Sequence, residues 1–171
     1  MRLRIIALIV ALVSVLSVGA QNYGYNSGTS RYYNSRFGFY FTYPSFMSLH
    51  SGAANSDGGV LYSADHRILI EVWAMLDSSS YTTNSLLQSM KNDVIAEGSR
   101  ITYSYAKNGT VVLSGYTCQN KIFYEKCVRC KLYSPVYGYV DVLAIASVEY
   151  YQNDKYRGEE VIKHFSGFPY E

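Results

Sequence analysis

Apolar side chains recur at every second position in several stretches of the chain, which is the spacing of a β-strand with one buried face. The first stretch covers residues 37–43 and ends at Pro44. Two others cover residues 60–63 and 67–76, and the latter is apolar on both faces, as is typical of a strand covered on both sides. Residues 55–59, a cluster of turn-forming residues, precede these two. The first half of the chain therefore predicts three strands.

The next segment changes to helical spacing. Leu86, Met90 and Val94 lie four residues apart, so that they share one face of a helix. Gly98 is the residue type that most often follows the end of a helix. The pattern predicts a helix from about Thr83 to Glu97.

The rest of the chain predicts an antiparallel meander followed by a second helix. Asn108-Gly109 is the strongest short hairpin signal, and Gln119-Asn120 is predicted to form another two-residue turn. The predicted strands cover residues 101–105, 110–118, 121–131 and 138–150, and the helix covers about 154–165. Because the strands pair as hairpins and the helices stand apart from them, the predicted fold class is α+β.

Residues 1–20 have the pattern of a secretory signal peptide. Arg2 and Arg4 precede an apolar run from Ile5 to Val18, and small side chains lead to a predicted cleavage after Ala20. The run is shorter than the roughly 20 apolar residues that span a bilayer, so an integral membrane protein is not expected. The protein is predicted to be secreted or periplasmic.

The predicted boundaries are a signal peptide over 1–20, a flexible leader over 21–36 and a single domain over 37–171. The leader is rich in Asn, Gly, Ser and Tyr and shows no apolar periodicity, as is typical of a tether.

Composition and charge restrict the expected partners. The chain has 171 residues, of which 49% are hydrophobic, and it carries 15 Lys and Arg against 13 Asp and Glu. Removal of Arg2 and Arg4 with the signal peptide leaves a neutral protein. A neutral protein does not rest its binding on neutralising phosphates, and it lacks the basic surplus that attracts anionic lipid. Nucleic acid is therefore not an expected partner.

Tyrosine is the unusual component, with 19 residues against a single Trp. Its ring is apolar and its tip is polar, which suits sugar faces and protein interfaces. Two-residue turns bring one set of side chains to a common face of the predicted sheet: Ile101, Tyr103, Tyr105, Val112, Ser114, Tyr116, Phe123, Glu125 and Cys127. Left uncovered, this face is an aromatic surface edged by an acid, with Tyr103, Tyr105, Tyr116 and Glu125 as candidate ligand-binding residues. Covered by a helix, it is ordinary core.

Three cysteines follow the signal peptide: Cys118, Cys127 and Cys130. A reactive Cys-x-x-Cys pair needs a helix N-terminus or a nearby cation, whereas Cys127 and Cys130 lie in a predicted strand, where residues three apart face opposite sides. Buried or structural cysteines are the favoured interpretation, and a disulfide or thiol role of Cys127 and Cys130 is the alternative. One such motif without a second is half of a zinc signature, so no metal is predicted.

No other motif predicts catalysis or a cofactor. Asp57 and Asp65 have the residue type of a paired-carboxylate site, but each lies in a turn, where Asp side chains bond the local backbone. The histidines are scattered over a loop, a turn and a helix: His50, His66 and His164. No catalytic residue is predicted.

Several of these features together resemble the PsbP-like fold. They are an aromatic opening strand ending in Tyr43-Pro44, the turn 55–58, Ser63-x-Asp65 before an apolar strand, and a C-terminal helix closing near Phe165. The group includes a photosystem extrinsic subunit, a Ran-binding import factor and many small exported bacterial proteins of unknown role. The resemblance implies an α-β-α sandwich around a largely antiparallel sheet of six to seven strands, and a binding or assembly role rather than catalysis.

The sequence thus predicts an exported, non-catalytic binding or assembly protein that uses the tyrosine-rich face or its bordering loops. The expected partner is a protein or a carbohydrate, and the oligomeric state is left open. The alternative function is an exported thiol-dependent enzyme or redox protein that uses Cys127 or Cys130. A third hypothesis is an assembly factor that docks through the leader over 21–36.

Overall fold

The computed structural model describes residues 23–25, 28–52, 55–78 and 81–170. The predicted signal peptide and its cleavage point lie outside these residues. The strands are β1 (Tyr23–Tyr25), β2 (Thr29–Tyr33), β3 (Tyr40–Pro44), β4 (Met47–Gly52), β5 (Gly58–Ser63), β6 (Ile68–Leu76), β7 (Arg100–Lys107), β8 (Thr110–Tyr116), β9 (Ile122–Ser134) and β10 (Gly138–Tyr150). The helices are α1 (Thr83–Ala96), a 3-10 turn (Gln152–Asp154) and α2 (Lys155–Lys163). Over the described ranges, no helix has the length and apolarity needed to span a membrane.

Within the described residues, ten strands form two antiparallel sheets, and together with two α-helices they make an α+β fold. The main sheet has seven strands in the order β4-β5-β6-β10-β9-β8-β7. Its centre is the long hairpin of β9 and β10, which pair from Gly138 opposite Ser134 to Tyr150 opposite Ile122. The edges are β4 and β7.

The small sheet corrects the predicted leader and domain start. It has three strands in the order β1-β2-β3, and β2 pairs with β3 from Thr29 opposite Pro44 to Tyr33 opposite Tyr40. Tyr32 and Asn34 are buried, so residues 29–36 belong to the folded domain. The prediction of a flexible leader there was wrong because Tyr supplies the buried surface in place of the aliphatic residues that usually mark a strand.

Two further strand assignments differ from the prediction. The first predicted strand, 37–43, begins only at Tyr40 and belongs to the small sheet, because the preceding residues form a turn around the buried Asn34. Asn34 Oδ1 accepts hydrogen bonds from the backbone N–H groups of Arg36 and Phe37. The predicted loop before residue 55 contains the edge strand β4. Its mostly exposed polar residues carry no clear alternation.

Each face of the main sheet has its own hydrophobic cluster. On one face, α1 packs over β7, β8, β9 and β10, with buried residues Leu86, Met90, Val94, Val111, Leu113, Phe123, Cys127, Leu143 and Ile145. On the other face, the small sheet and α2 pack over β5, β6, β10 and part of β9. This second cluster is strongly aromatic and includes Phe37, Phe39, Phe41, Tyr43, Phe165 and Phe168.

Helix α1 forms as the spacing predicts. Leu86, Met90 and Val94 are its buried residues. The Thr82 side chain accepts a hydrogen bond from the backbone N–H of Ser85, which satisfies one of the free donors at the helix start. Gly98, with φ of +78°, follows the end of the helix in the left-handed region that favours glycine.

Helix α2 lies directly on β10. A Cβ at Gly158 would come within 2.5 Å of the Tyr150 ring, so only glycine allows the helix to approach this strand so closely. Arg157 of the helix bonds Asp65 in the turn between β5 and β6 at 2.8 Å, and it bonds Asp154 at 3.2 Å. These contacts hold α2 at the β5–β6 end of the main sheet and leave β7 and β8 without a helix on that face.

Candidate functional site

The three tyrosines that the sequence predicts as ligand-binding residues lie on one face of β7 and β8, the face opposite α1. Tyr103 pairs with Ser114 and Tyr105 pairs with Val112, so these four side chains share a face. Tyr116 lies opposite Arg100 and joins the same face at one end of the hairpin. We call this surface the open face.

Over β7 and β8, the open face is not covered by any other element that the structure describes. Helix α1 contacts β7 and β8 from the other side, and α2 contacts β10 and β3 instead. Tyr103 keeps 54% of its surface exposed and Tyr105 keeps 42%. Exposed aromatic rings that lie side by side on a sheet are typical of an interaction site.

The open face continues onto β9, where it includes residues that were not predicted from the sequence. Val112 pairs with Lys126, and Ser114 pairs with Tyr124. The Tyr124 ring packs edge-on against Phe165 at 5.4 Å between centroids, where the segment after α2 borders the face. Burial raises the pKa of the Tyr124 hydroxyl, and the neighbouring Tyr103 raises it further.

Lys126 fixes the boundary between the open face and the C-terminal segment. Its ammonium donates hydrogen bonds to the backbone carbonyls of Phe165, Ser166 and Phe168, at 2.5 to 3.2 Å. Burial lowers the pKa of Lys126 because the charged form loses hydration. The lysine therefore closes the chain after α2 against the sheet.

All charged residues that β7, β8 and β9 place on the open face are basic. They are Arg100, Lys107 and Lys126, and no Asp or Glu of these strands shares the face. The Arg100 guanidinium lies 4.8 Å from the centre of the Tyr116 ring. The open face thus combines phenol rings with cations.

The predicted position of Glu125 was wrong. The β8–β9 turn has three residues between Thr117 and Lys121, since the Thr117 N–H donates to Lys121 O and Asn120 adopts a φ of +62°. The extra residue shifts the register by one position, and such a shift moves every side chain of a strand to the opposite face. Phe123, Glu125 and Cys127 therefore face α1.

Ile101 also departs from the predicted face. A β-bulge between Ile101 and Tyr103 sends the isoleucine towards α1, while the tyrosine stays on the open side. Glu125 is 95% buried on the α1 side, where a small cavity near the end of the helix is also lined by Glu97 and Glu149. Across the described ranges, His, Cys, Asp and Glu nowhere form a group of three or more that could hold a metal ion.

Cys127 and Cys130 lie on opposite faces of β9, as expected for residues three apart in a strand. All three cysteines are free: Cys118 is exposed in the β8–β9 turn, and Cys127 and Cys130 are buried. Cys127 faces α1, whereas Cys130 faces the aromatic cluster on the other side. Burial raises the pKa of Cys127 strongly, and it raises the pKa of Cys130 to about 11. Neither thiol has the lowered pKa of a nucleophilic cysteine.

The two aspartates serve separate turns. Asp65 accepts hydrogen bonds from the Ser63 hydroxyl and the Arg67 N–H, and Asp57 bonds Asn55. Each aspartate also has its own arginine, Arg157 for Asp65 and Arg36 for Asp57. The carboxylates therefore stabilise their own turns, and they have no common partner among the contacts of the described residues given above.

A second group of exposed tyrosines lies at the far end of the β9–β10 hairpin. Tyr133 and Tyr139 are exposed and meet edge-on at 5.3 Å between ring centroids. The Tyr137 hydroxyl accepts hydrogen bonds from Arg36. These rings lie at a hairpin end and lack the broad sheet floor of the open face, so they serve better as a control surface than as a candidate site.

In comparisons with known proteins, no family model, no curated protein and no solved structure matches the chain. The assignment of function therefore rests on the geometry of the open face.

Proposed function

We propose that this chain is an exported, non-catalytic binding or assembly protein whose ligand docks on the open face. Tyr103, Tyr105 and Tyr116 are the proposed ligand-binding residues, and Tyr124 forms the floor beside them. Glu125 is not among the proposed binding residues because it faces α1. Export by a signal peptide ending at Ala20, and kinship with the PsbP-like fold, belong to the same proposal.

The observation that carries the proposal is the exposure of Tyr103 and Tyr105 on the β7–β8 part of the sheet, where no described element covers this face. A tyrosine that only stabilises the fold is expected to be packed against a neighbouring element. These side chains instead keep about half of their surface exposed while their backbone is held in the sheet. Rigid aromatic side chains bind with a small loss of conformational entropy, which is why binding surfaces are enriched in tyrosine.

The charge of the open face narrows the ligand class. Since Arg100, Lys107 and Lys126 are the charged residues that β7, β8 and β9 place there, a ligand with carboxylate or other acidic groups is favoured. An acidic protein segment and an acidic carbohydrate both fit this description. The absence of a lowered thiol pKa at Cys127 and Cys130 gives no support to the alternative of a thiol enzyme.

The test uses the purified mature protein to probe a phage-displayed peptide library and a glycan array. For each selected ligand, dissociation constants are measured for the wild type and for the triple variant Tyr103→Ala/Tyr105→Ala/Tyr116→Ala. We expect the triple variant to bind about tenfold or more weakly, because interface tyrosines are frequent hot spots. Its thermal unfolding should remain cooperative.

A matched triple variant controls for the loss of three exposed tyrosines. Tyr133 and Tyr139, at the far end of the β9–β10 hairpin, and Tyr156, on α2, have exposed fractions of 61%, 76% and 82%. Their joint replacement by alanine should leave the affinity unchanged. Equal losses in the two triple variants, or libraries that yield no ligand, would contradict the proposed function.

A further inference from the structure

The open face is bordered by a sheet edge that has no partner strand in the described residues. β7 is the last strand of the main sheet and has 8 residues, so one side of its backbone lacks a neighbouring ladder. An edge of this kind is a template for the addition of another strand.

The hydrogen-bonding pattern identifies the free backbone groups. Gly109 O accepts from Arg129 N and Thr117 N donates to Lys121 O, so the odd-numbered residues of β8 bond β9. The even-numbered residues of β8 then bond Tyr103, Tyr105 and Lys107, their partners in β7. The N–H and C=O groups of Ser104 and Ala106 therefore point away from the sheet, where an added strand would bond them.

The two edges of the main sheet differ in charge. β7 begins with Arg100 and ends with Lys107, and it contains no acidic residue. β4, at the opposite edge, contains neither Arg nor Lys. A strand added at β7 would have its ends beside the two cations, and its side chains on the open face would contact Tyr103 and Tyr105. The charge of this edge is complementary to an acidic segment.

The same charges oppose pairing between two copies of this chain. Two β7 strands paired antiparallel over their whole length would bring the Arg100 of one copy near the Lys107 of the other at both ends. Like charges opposite each other destabilise a strand pair. The occupant that fits is therefore a different, acidic chain.

We propose that β7 binds an extended acidic segment of another protein as an added strand, with alternate side chains of that segment resting on Tyr103 and Tyr105. This inference rests on the proposed function, since it uses the open face as the binding surface. Main-chain hydrogen bonds to Ser104 and Ala106 would supply affinity, and the cations with the tyrosines would select the segment.

The first experiment measures the charge preference. The probe is a fluorescein-labelled peptide as long as β7, with Thr, Val and Tyr in its centre and Glu at both ends, and its counterpart has Lys in place of Glu. We expect the acidic probe to bind about tenfold or more tightly, and added salt to weaken it because surface charges are screened. Equal binding of the two probes would overturn the inference.

The second experiment tests strand addition itself. Ser104→Pro removes an N–H that points away from β8, whereas Ser104→Ala keeps it, and neither substitution removes a ladder bond of the β7–β8 hairpin. We expect the proline variant to lose about tenfold or more in affinity and the alanine variant to match the wild type. Equal binding of the two variants would count against strand addition.

A third measurement avoids any change to the protein. Two isomeric acidic probes carry N-methyl groups on alternate backbone nitrogens, so that the methyl groups face β7 in one isomer and solvent in the other. One isomer should bind wild-type protein and the other should not. Equal binding of both isomers overturns the inference even if Ser104→Pro fails to fold. A wild-type dimer that Ser104→Pro abolishes would also overturn it, because the strand added at β7 would then come from a second copy of this chain.

The two proposals fail in different ways. A selected ligand that needs Tyr103, Tyr105 and Tyr116 but ignores both Ser104→Pro and N-methylation would leave the proposed function intact and overturn strand addition. An acidic probe that distinguishes the N-methyl isomers but ignores the tyrosine variant would support strand addition and contradict the proposed open-face function.

Discussion

The two faces of strands β7, β8 and β9 belong to the same backbone but have opposite surroundings. One face lies under α1 and buries Leu113, Phe123 and Cys127 in a continuous apolar cluster. The other face presents Tyr103 and Tyr105 to solvent beside basic residues. The difference shows that an aromatic side chain on these strands is buried where another element packs over it. Where no element packs over the sheet, the side chain is available for binding.

The largest expected difference between the faces is in thiol accessibility. In a Cys118→Ser/Cys130→Ala background, Cys127 is the one natural thiol left and reports on the covered face, and an added Tyr105→Cys reports on the open face. We expect the new thiol to react with a reporter disulfide at least about 1,000-fold faster than Cys127, which must await local or global unfolding. The raised pKa of Cys127 slows it further. Rapid reaction of Cys127 in the native protein would show that α1 does not seal its face.

The next prediction compares side-chain truncations on the two faces. Leu113→Ala leaves a cavity beneath α1 and should lower the free energy of unfolding by about 2–5 kcal/mol. Tyr103→Ala removes a half-exposed ring and should lower it by less than about 1 kcal/mol. Urea unfolding followed by circular dichroism measures both. Similar losses in the two variants would mean that the tyrosine is a core residue.

Lys126 should be the most costly polar residue to replace on the open face. Lys126→Met keeps most of the aliphatic stem but leaves the carbonyls of the segment after α2 without this donor. We expect a loss of about 1–3 kcal/mol in the free energy of unfolding, since it leaves partly buried acceptors unsatisfied. Lys107→Met, at an exposed position, is the control and should change it by less than about 0.5 kcal/mol. A Lys126→Met variant as stable as the control would contradict the anchoring role.

The smallest effect concerns the contact between Arg157 of α2 and Asp65 in the turn between β5 and β6. Arg157 and Ser63 hold the pKa of Asp65 well below its usual range in the folded protein. The unfolded chain therefore binds the proton more readily, and the contribution of Asp65 to stability is present above about pH 4 and lost as the pH falls below it. Asp65→Asn should flatten this part of the stability profile relative to the wild type. Parallel profiles for the two proteins would argue against the contact.

Local patterns in the sequence identify much of the fold. The spacing of Leu86, Met90 and Val94 predicts α1, and Asn108-Gly109 predicts the β7–β8 hairpin, because both signals act between near neighbours. The apolar alternation of 67–76 and 138–150 likewise predicts β6 and β10, which pair with each other in the main sheet. The α+β class follows from the order of these elements.

Long-range features of the site are less accessible from sequence. One extra residue in the β8–β9 turn decides whether Glu125 or Lys126 joins the tyrosines, and the turn residues Gln119 and Asn120 fit either turn length. The small sheet is not predicted from the sequence either, because Tyr32 and its neighbours show no alternation of aliphatic residues. Only the position of α2 shows which part of the sheet remains uncovered.

The three-residue turn between Thr117 and Lys121 has a consequence for how such a surface can diversify. Loop tips accept insertions and deletions more readily than strands do. Deleting one residue there exchanges the two sides of β9 relative to β8 and replaces a base by an acid next to the phenol rings. A single indel in a relative of this protein would thus place a carboxylate beside the tyrosines without altering any strand residue, while Arg100 and Lys107 of β7 would remain on the same face.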